Sequence, residues 1–264
     1  MPLNNLKKAR STAEEVVKEA GKILVESKGK FSIKAYKDKE DIVTDVDIKI
    51  EKKVIQIIEK NFPKHNILSE EVGEIRKGSD FTWVIDPLDG TKEYIREIPL
   101  YCSAVVLQKN GVPIVSAIYD PELDELYSAS LKNGATLNGK RISVSSEQRL
   151  DHSMLFTYLP KEAKQVVWLA PIFELLYRVR GHANHNMSYC WVAKGGYEGH
   201  FSIFTPTKWW DIAPGILILK EAGGKVSDLN NQEISFNNYK SIAIGTNGKI
   251  HKELVSQLNK VIRK

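Results

Sequence analysis

The run Trp83-Val84-Ile85-Asp86-Pro87-Leu88-Asp89-Gly90-Thr91 constrains the fold of this chain more than any other stretch. Phe81 to Ile85 reads as a buried strand, whereas Asp-Pro and Asp-Gly are turn-forming pairs. An apolar strand therefore has to break into a turn where two carboxylates stand three residues apart. Thr91 onward can start a helix, whose first backbone N–H groups lack intrahelical partners. In such an arrangement the carboxylates face cations and the helix start faces an anion, the two halves of a phosphate site. A short acidic turn on a wet surface accounts for the same letters without chemistry.

Carboxylates in similar settings elsewhere weigh against the solvated turn. Glu70 and Glu71 follow the apolar Ile67-Leu68, and Asp45 and Asp47 stand before a strongly periodic helix. Asp211 follows Trp209-Trp210, directly ahead of the helix-like stretch from Ile212 to Ala222. A charge among large apolar residues is costly to bury unless it is paired or holds a metal. Its recurrence in separate segments favours one assembled site. Thr44 and Asp47 also stand at the spacing of an N-cap box, which gives both a structural role.

Together, Ser69-Glu70-Glu71, the Trp83 to Thr91 run and Trp210-Asp211-Ile212-Ala213-Pro214-Gly215, ending in Glu221-Ala222-Gly223-Gly224, resemble the inositol monophosphatase family in order and spacing. These are magnesium-dependent, lithium-sensitive phosphatases, and the resemblance covers nearly the whole chain. It implies an α+β fold, a five-layered αβαβα sandwich with mostly antiparallel sheets. It also implies Mg2+, two or three ions per active site. Glu70, Asp86 and the backbone carbonyl of Leu88 would hold a first ion; Asp86, Asp89 and Asp211 would hold a second. Asp47 and Thr91 match the pair that orients and deprotonates a water on the ion held by Glu70, for in-line attack on phosphorus. Gly90 and Thr91 would offer backbone N–H groups to the phosphate.

Substrate choice divides two ways. Inositol-specific members continue Asp-Gly-Thr differently and carry a glutamate where this chain has Phe204; here Lys92-Glu93-Tyr94 follows. That run and Lys208-Trp209-Trp210-Asp211 look more like the branch that acts on adenosine 3′,5′-bisphosphate, with Lys92 and Lys208 meeting a second phosphate and Trp209 facing a base. The stretch Gly181-His182-Ala183 is similar instead to the sugar-contacting loop of the inositol and fructose-bisphosphatase members. His182 and His185 have zinc-like spacing, but no third ligand is evident.

With 264 residues and 42% hydrophobic composition, the chain can bury a large core. The expected organisation is one compact unit of two lobes, 1–146 and 147–264, divided at the polar stretch from Ser146 to Asp151. Helices are expected at about 4 to 27, after Thr44, over Glu162 to Val179, Asn186 to Lys194 and Ile212 to Ala222, and from Lys249. An antiparallel meander should span Tyr101 to Ser130, with a short strand around Ile142 to Val144. The polar, basic start and the short apolar runs predict no signal peptide and no membrane partner, hence a cytoplasmic protein. Cys102 and Cys190 form no CxxC and predict neither disulfide nor structural zinc. The net charge of +5 is spread along the sequence, which argues against a nucleic-acid polymer as partner. The expected partner is a small phosphorylated metabolite, and the family resemblance implies a homodimer. The competing function is a non-catalytic regulatory homologue that binds phosphometabolites.

Overall fold

Helix and sheet layers alternate through the molecule, and the apolar pattern along each element accounts for its place. The computed structural model describes residues 3–36, 42–181, 184–204, 207–240 and 242–262. Helices α1 (Leu3–Ser27) and α2 (Asp45–Asn61) form one outer layer. Ala13, Val16, Val17, Ala20 and Leu24 of α1, and Val46, Ile50, Val54 and Ile58 of α2, are buried at helical spacing. Between the two helices β1 (Ile33–Tyr36) and β2 (Ile42–Thr44) pair as an antiparallel ribbon.

The next layer is an eight-stranded sheet made of β3 (Asn66–Ser69), β4 (Gly73–Ile75), β5 (Phe81–Asp89), β6 (Cys102–Lys109), β7 (Val112–Asp120), β8 (Glu125–Ser130), β9 (Ala135–Leu137) and β10 (Lys140–Arg141). A four-residue helix, α3 (Thr91–Tyr94), follows β5. The strands pair antiparallel except β3 with β5. Trp83, Ile85, Val105 and Leu107 join α1 and α2, whereas Val84, Ala104 and Val106 face the other way. Both faces are covered, so these strands read as near-continuous apolar text. Ile142 to Val144, expected as a strand, is a loop: pairing ends at Arg141, and the Val144 N–H donates to the Ala222 carbonyl at 3.1 Å.

The rest of the chain builds β11 (Met154–Thr157), α4 (Ala163–Glu174), β12 (Arg178–Gly181), α5 (His185–Ala193), β13 (Gly199–Ser202), α6 (Trp209–Glu221), β14 (Lys225–Ser227), β15 (Ala243–Thr246) and α7 (His251–Ile262). The five strands form a mixed sheet in the order β12-β11-β13-β15-β14. Helices α5 and α6 lie between the two sheets, sharing a core with Val106 and Ile118 on one side and Val226 and Ala243 on the other. A helix so enclosed needs apolar residues all round, and Ile212 to Leu219 are buried throughout. Helices α4 and α7 cover the far face, through Leu169, Ile172, Leu254 and Leu258 against Leu155, Phe201 and Ile244. The sequence of layers is α1/α2, sheet, α5/α6, sheet, α4/α7: the five-layered αβαβα sandwich of an α+β protein.

Two expected helices differ most in their bounds. The one placed over Glu162 to Val179 ends at Glu174, because Arg178–Gly181 pairs in parallel with β11. Helix α6 starts at Trp209, so Asp211 lies within its first turn rather than ahead of it. Cys102 and Cys190 are buried free thiols. No helix among the described residues is long and apolar enough to cross a membrane.

Candidate metal and phosphate site

Strand β5 runs through the turn that the sequence predicts within it. Asp86 pairs with Ala104 and Asp89 with Cys102, so three steps on β5 match two on β6. This is a bulge, and Pro87, which has no N–H to give the ladder, sits inside it. The chain turns only at Gly90, where φ is 100° and a Cβ would stand 2.6 Å from the Leu100 carbonyl oxygen. Glycine is required there by the backbone alone.

The bulge leaves two carboxylates in the interior: Asp86 is 1% exposed and Asp89 9%. Burial, then the charges of Asp89, Glu70, Asp211 and Asp47, push the Asp86 carboxyl well above its ordinary range. Those charges arrive from β5, the turn after β3, the first turn of α6 and the first turn of α2. Asp89 is likewise raised by burial and then by Asp211, against hydrogen bonds from Asn186. Asp86 Oδ1 is buried with no hydrogen-bond partner. A carboxylate oxygen held so is costly unless a cation meets it. As the side chains stand, no three His, Cys, Asp or Glu residues among those described already form a metal cage. The fit to an ion therefore rests on the orphaned oxygen, the crowded charge and an all-oxygen donor set, which suits a hard cation such as Mg2+.

Thr44 caps α2, and Asp47 closes the capping box, its Oδ2 accepting the Thr44 N–H at 2.8 Å and hydroxyl at 2.5 Å. The other oxygen, Oδ1, lies 3.3 Å from the Thr91 hydroxyl, which also reaches the Leu88 carbonyl at 3.1 Å. Asp47 thus closes the cap with one oxygen and faces Thr91 with the other. Burial raises its pKa against the Thr44 donors. Lys92 is half-buried on α3, whereas Lys208 is exposed at the N-cap of α6, its backbone N–H donating to Asp211 Oδ2 at 2.6 Å. Gly181 closes β12 at the surface; His182 and Ala183 lie outside the described residues.

Several supporting residues escape the sequence reading. Glu51 is 2% exposed. Its Oε1 accepts the Ser69 hydroxyl and the Glu71 and Val72 N–H groups, the latter two at 3.1 Å, and so holds the turn that carries Glu70. A charge on the apolar face of α2, beside Ile50 and Val54, was the available signal. Asn184 caps α5 and donates to the Asp89 carbonyl at 2.9 Å. Asp45 anchors the Ser32 N–H at 2.7 Å instead of facing the carboxylates. Trp209 is core: its indole N–H donates to Gln108 Oε1 at 2.8 Å, which removes it as a surface for a base. Glu221 accepts the N–H groups of Lys132, Asn133 and Gly134 and locks that turn.

Comparison with known proteins identifies the family and the fold. The sequence matches the Inositol monophosphatase family over residues 5–263. It is 36% identical over 229 residues to a fructose-1,6-bisphosphatase/inositol-1-monophosphatase of Aquifex aeolicus, covering 84% of this chain and 86% of that one. It is 38% identical over 200 residues to the Nus factor SuhB of Escherichia coli, covering 73% of each. Among solved structures, an inositol monophosphatase from Anabaena superposes with a TM-score of 0.85 at 31% identity over 97% of both chains.

Proposed function

The chain belongs to the inositol monophosphatase family, and from that premise we propose that it is a Mg2+-dependent phosphomonoesterase acting on small phosphorylated metabolites. The observation that carries the reading is Asp86, a buried carboxylate with one oxygen unpartnered and four like charges around it. Glu70, Asp86 and the Leu88 carbonyl would hold one ion, and Asp86, Asp89 and Asp211 another. Bound there, Mg2+ would acidify a water and stabilise charge on the phosphate and the leaving oxygen. The Thr91 hydroxyl lies between Asp47 Oδ1 and the Leu88 carbonyl, and the pair Thr91 and Asp47 would orient a water for attack and accept its proton. A carboxyl raised by burial is the better base for that task. Gly90 and Thr91 would present the phosphate with backbone N–H groups. A cytoplasmic homodimer, with the site between lobes 1–146 and 147–264, completes the reading.

Between substrates, the core position of Trp209 favours sugar and inositol phosphates over adenosine 3′,5′-bisphosphate. The fructose-bisphosphatase and inositol-monophosphatase name of the Aquifex relative points the same way. Lys92 and Lys208 then bind no second nucleotide phosphate. Phosphate release from inositol 1-phosphate, fructose 1,6-bisphosphate and adenosine 3′,5′-bisphosphate, with and without Mg2+, tests the proposal. Mg2+-dependent release with preference for the first two is expected, along with inhibition by lithium. Preference for the nucleotide would make Lys92 and Lys208 specificity elements. No release from any would leave the non-catalytic reading, in line with the Nus factor name of the Escherichia coli relative.

A further inference from the structure

A proline inside a helix deprives the carbonyl four residues earlier of its donor. Pro214 lies within α6, so the carbonyl it leaves over is that of Trp210, the residue before Asp211. The side chain of Asn186, on α5, fills the vacancy: its Nδ2 donates to the Trp210 carbonyl at 3.2 Å. Its Oδ1 accepts the Gly215 N–H at 3.2 Å, and Nδ2 also reaches Asp86 Oδ2 at a long 3.4 Å. A carbonyl can only accept and a backbone N–H can only donate, so these partners fix which way the amide faces. The side chain is 0% exposed, and the backbone N–H of Asn186 donates to Asp89 Oδ2 at 3.0 Å. Helices α5 and α6 approach so closely because residue 215 is glycine; a Cβ there would stand 2.7 Å from that of Tyr189.

We infer that Asn186 is a positioning residue for the ions, and that Pro214 is its counterpart. By occupying the carbonyl that Pro214 leaves over, the amide ties the first turn of α6, with Asp211, to Asp86 on β5. Two ligands from distant segments are thereby set at one spacing before any cation arrives. The inference rests on the metal reading of these carboxylates, and it assigns their preorganisation to an amide that would touch neither ion nor substrate.

Mn2+ titration of the metal-free protein, followed by the electron paramagnetic resonance of the free ion, tests it without reference to turnover. Asn186→Ala should weaken Mn2+ binding about 10–100-fold while near-ultraviolet circular dichroism shows a folded chain. Pro214→Ala supplies an N–H that competes for the Trp210 carbonyl, so it should weaken binding severalfold. The double variant should be no weaker than Asn186→Ala, because both changes break one link. As a control, Asn247→Ala removes another buried amide, bonded to Ser145 and Glu147, and should lower the thermal midpoint but leave Mn2+ affinity alone. Wild-type affinity in folded Asn186→Ala, or additive losses in the double variant, would overturn the inference. If Asn186→Ala does not fold, Pro214→Ala decides: wild-type Mn2+ affinity in that folded variant overturns the idea. A wild-type protein that binds no Mn2+ would sink the phosphatase reading as well; wild-type binding with indifferent variants sinks this inference alone.

Discussion

Glu51 and Asp86 are both buried carboxylates near the same turn, 2% and 1% exposed, and they are handled in opposite ways. Glu51 receives a hydroxyl and two backbone N–H groups on one oxygen. Asp86 has one oxygen without a partner and a single long contact from Asn186 on the other. Burial alone does not mark a site, since a carboxylate supplied with donors is a structural brace. The mark is a buried carboxylate with one oxygen to which the protein supplies no donor, and around which it gathers more negative charge. Glu51 braces the turn that carries Glu70; Asp86 is left with an unpartnered oxygen among like charges.

The largest expected effect breaks the comparison at Asp86. Asp86→Asn keeps the shape and removes the charge, so phosphate release should fall by about a thousandfold while the metal-free protein becomes more heat-stable, as repulsion with Asp89 and Asp211 is relieved. Loss of stability without loss of turnover would make Asp86 a brace like Glu51. Next comes Thr91→Ala, which should lower kcat about a hundredfold with little change in KM; an unchanged kcat would reduce Thr91 to a helix start. Glu51→Ala sharpens the contrast from the other side. It strands the Glu71 and Val72 N–H groups and should cost about 1–3 kcal/mol of stability, seen in urea unfolding, with a smaller drop in turnover through a loosened Glu70.

Much of this was legible in the sequence, for reasons that can be assigned. The amphipathic faces of α1 and α2 and the meander β6 to β8 follow from apolar periodicity, and the family resemblance supplied the layer order that periodicity could not. That Asp89 and Asp211 gather at Asp86 follows the motif spacing, and that Asp47 joins them follows the family resemblance. The bulge at Pro87 was not legible, since Asp-Pro and Asp-Gly report turn preference but cannot show that β6 continues pairing past them. Asp211 was placed ahead of its helix because two tryptophans mask a helix start that packing enforces. Glu51 and Asn186 were missed because their importance lies in partners 18 residues away at Ser69 and 100 at Asp86, which no local pattern encodes.

The central proposal is that the Asp86 cluster binds Mg2+, and its most direct test is thermal stability against pH with and without Mg2+. The folded-state pKa values of Asp86, Asp89 and Asp47 are raised above the ordinary 3.8. Their contribution is therefore full below that value and is lost as pH rises through the raised values. His251 opposes this, because burial beside the Ser227 and Thr246 hydroxyls lowers it from 6.5 to about 4, so its contribution is lost as pH falls across that window. Comparing wild type with Asp86→Asn cancels the His251 effect. The metal-free wild type should lose stability relative to Asp86→Asn as pH rises above about 4, and Mg2+ should reverse that difference. Parallel profiles for the two proteins, unmoved by Mg2+, would contradict the account.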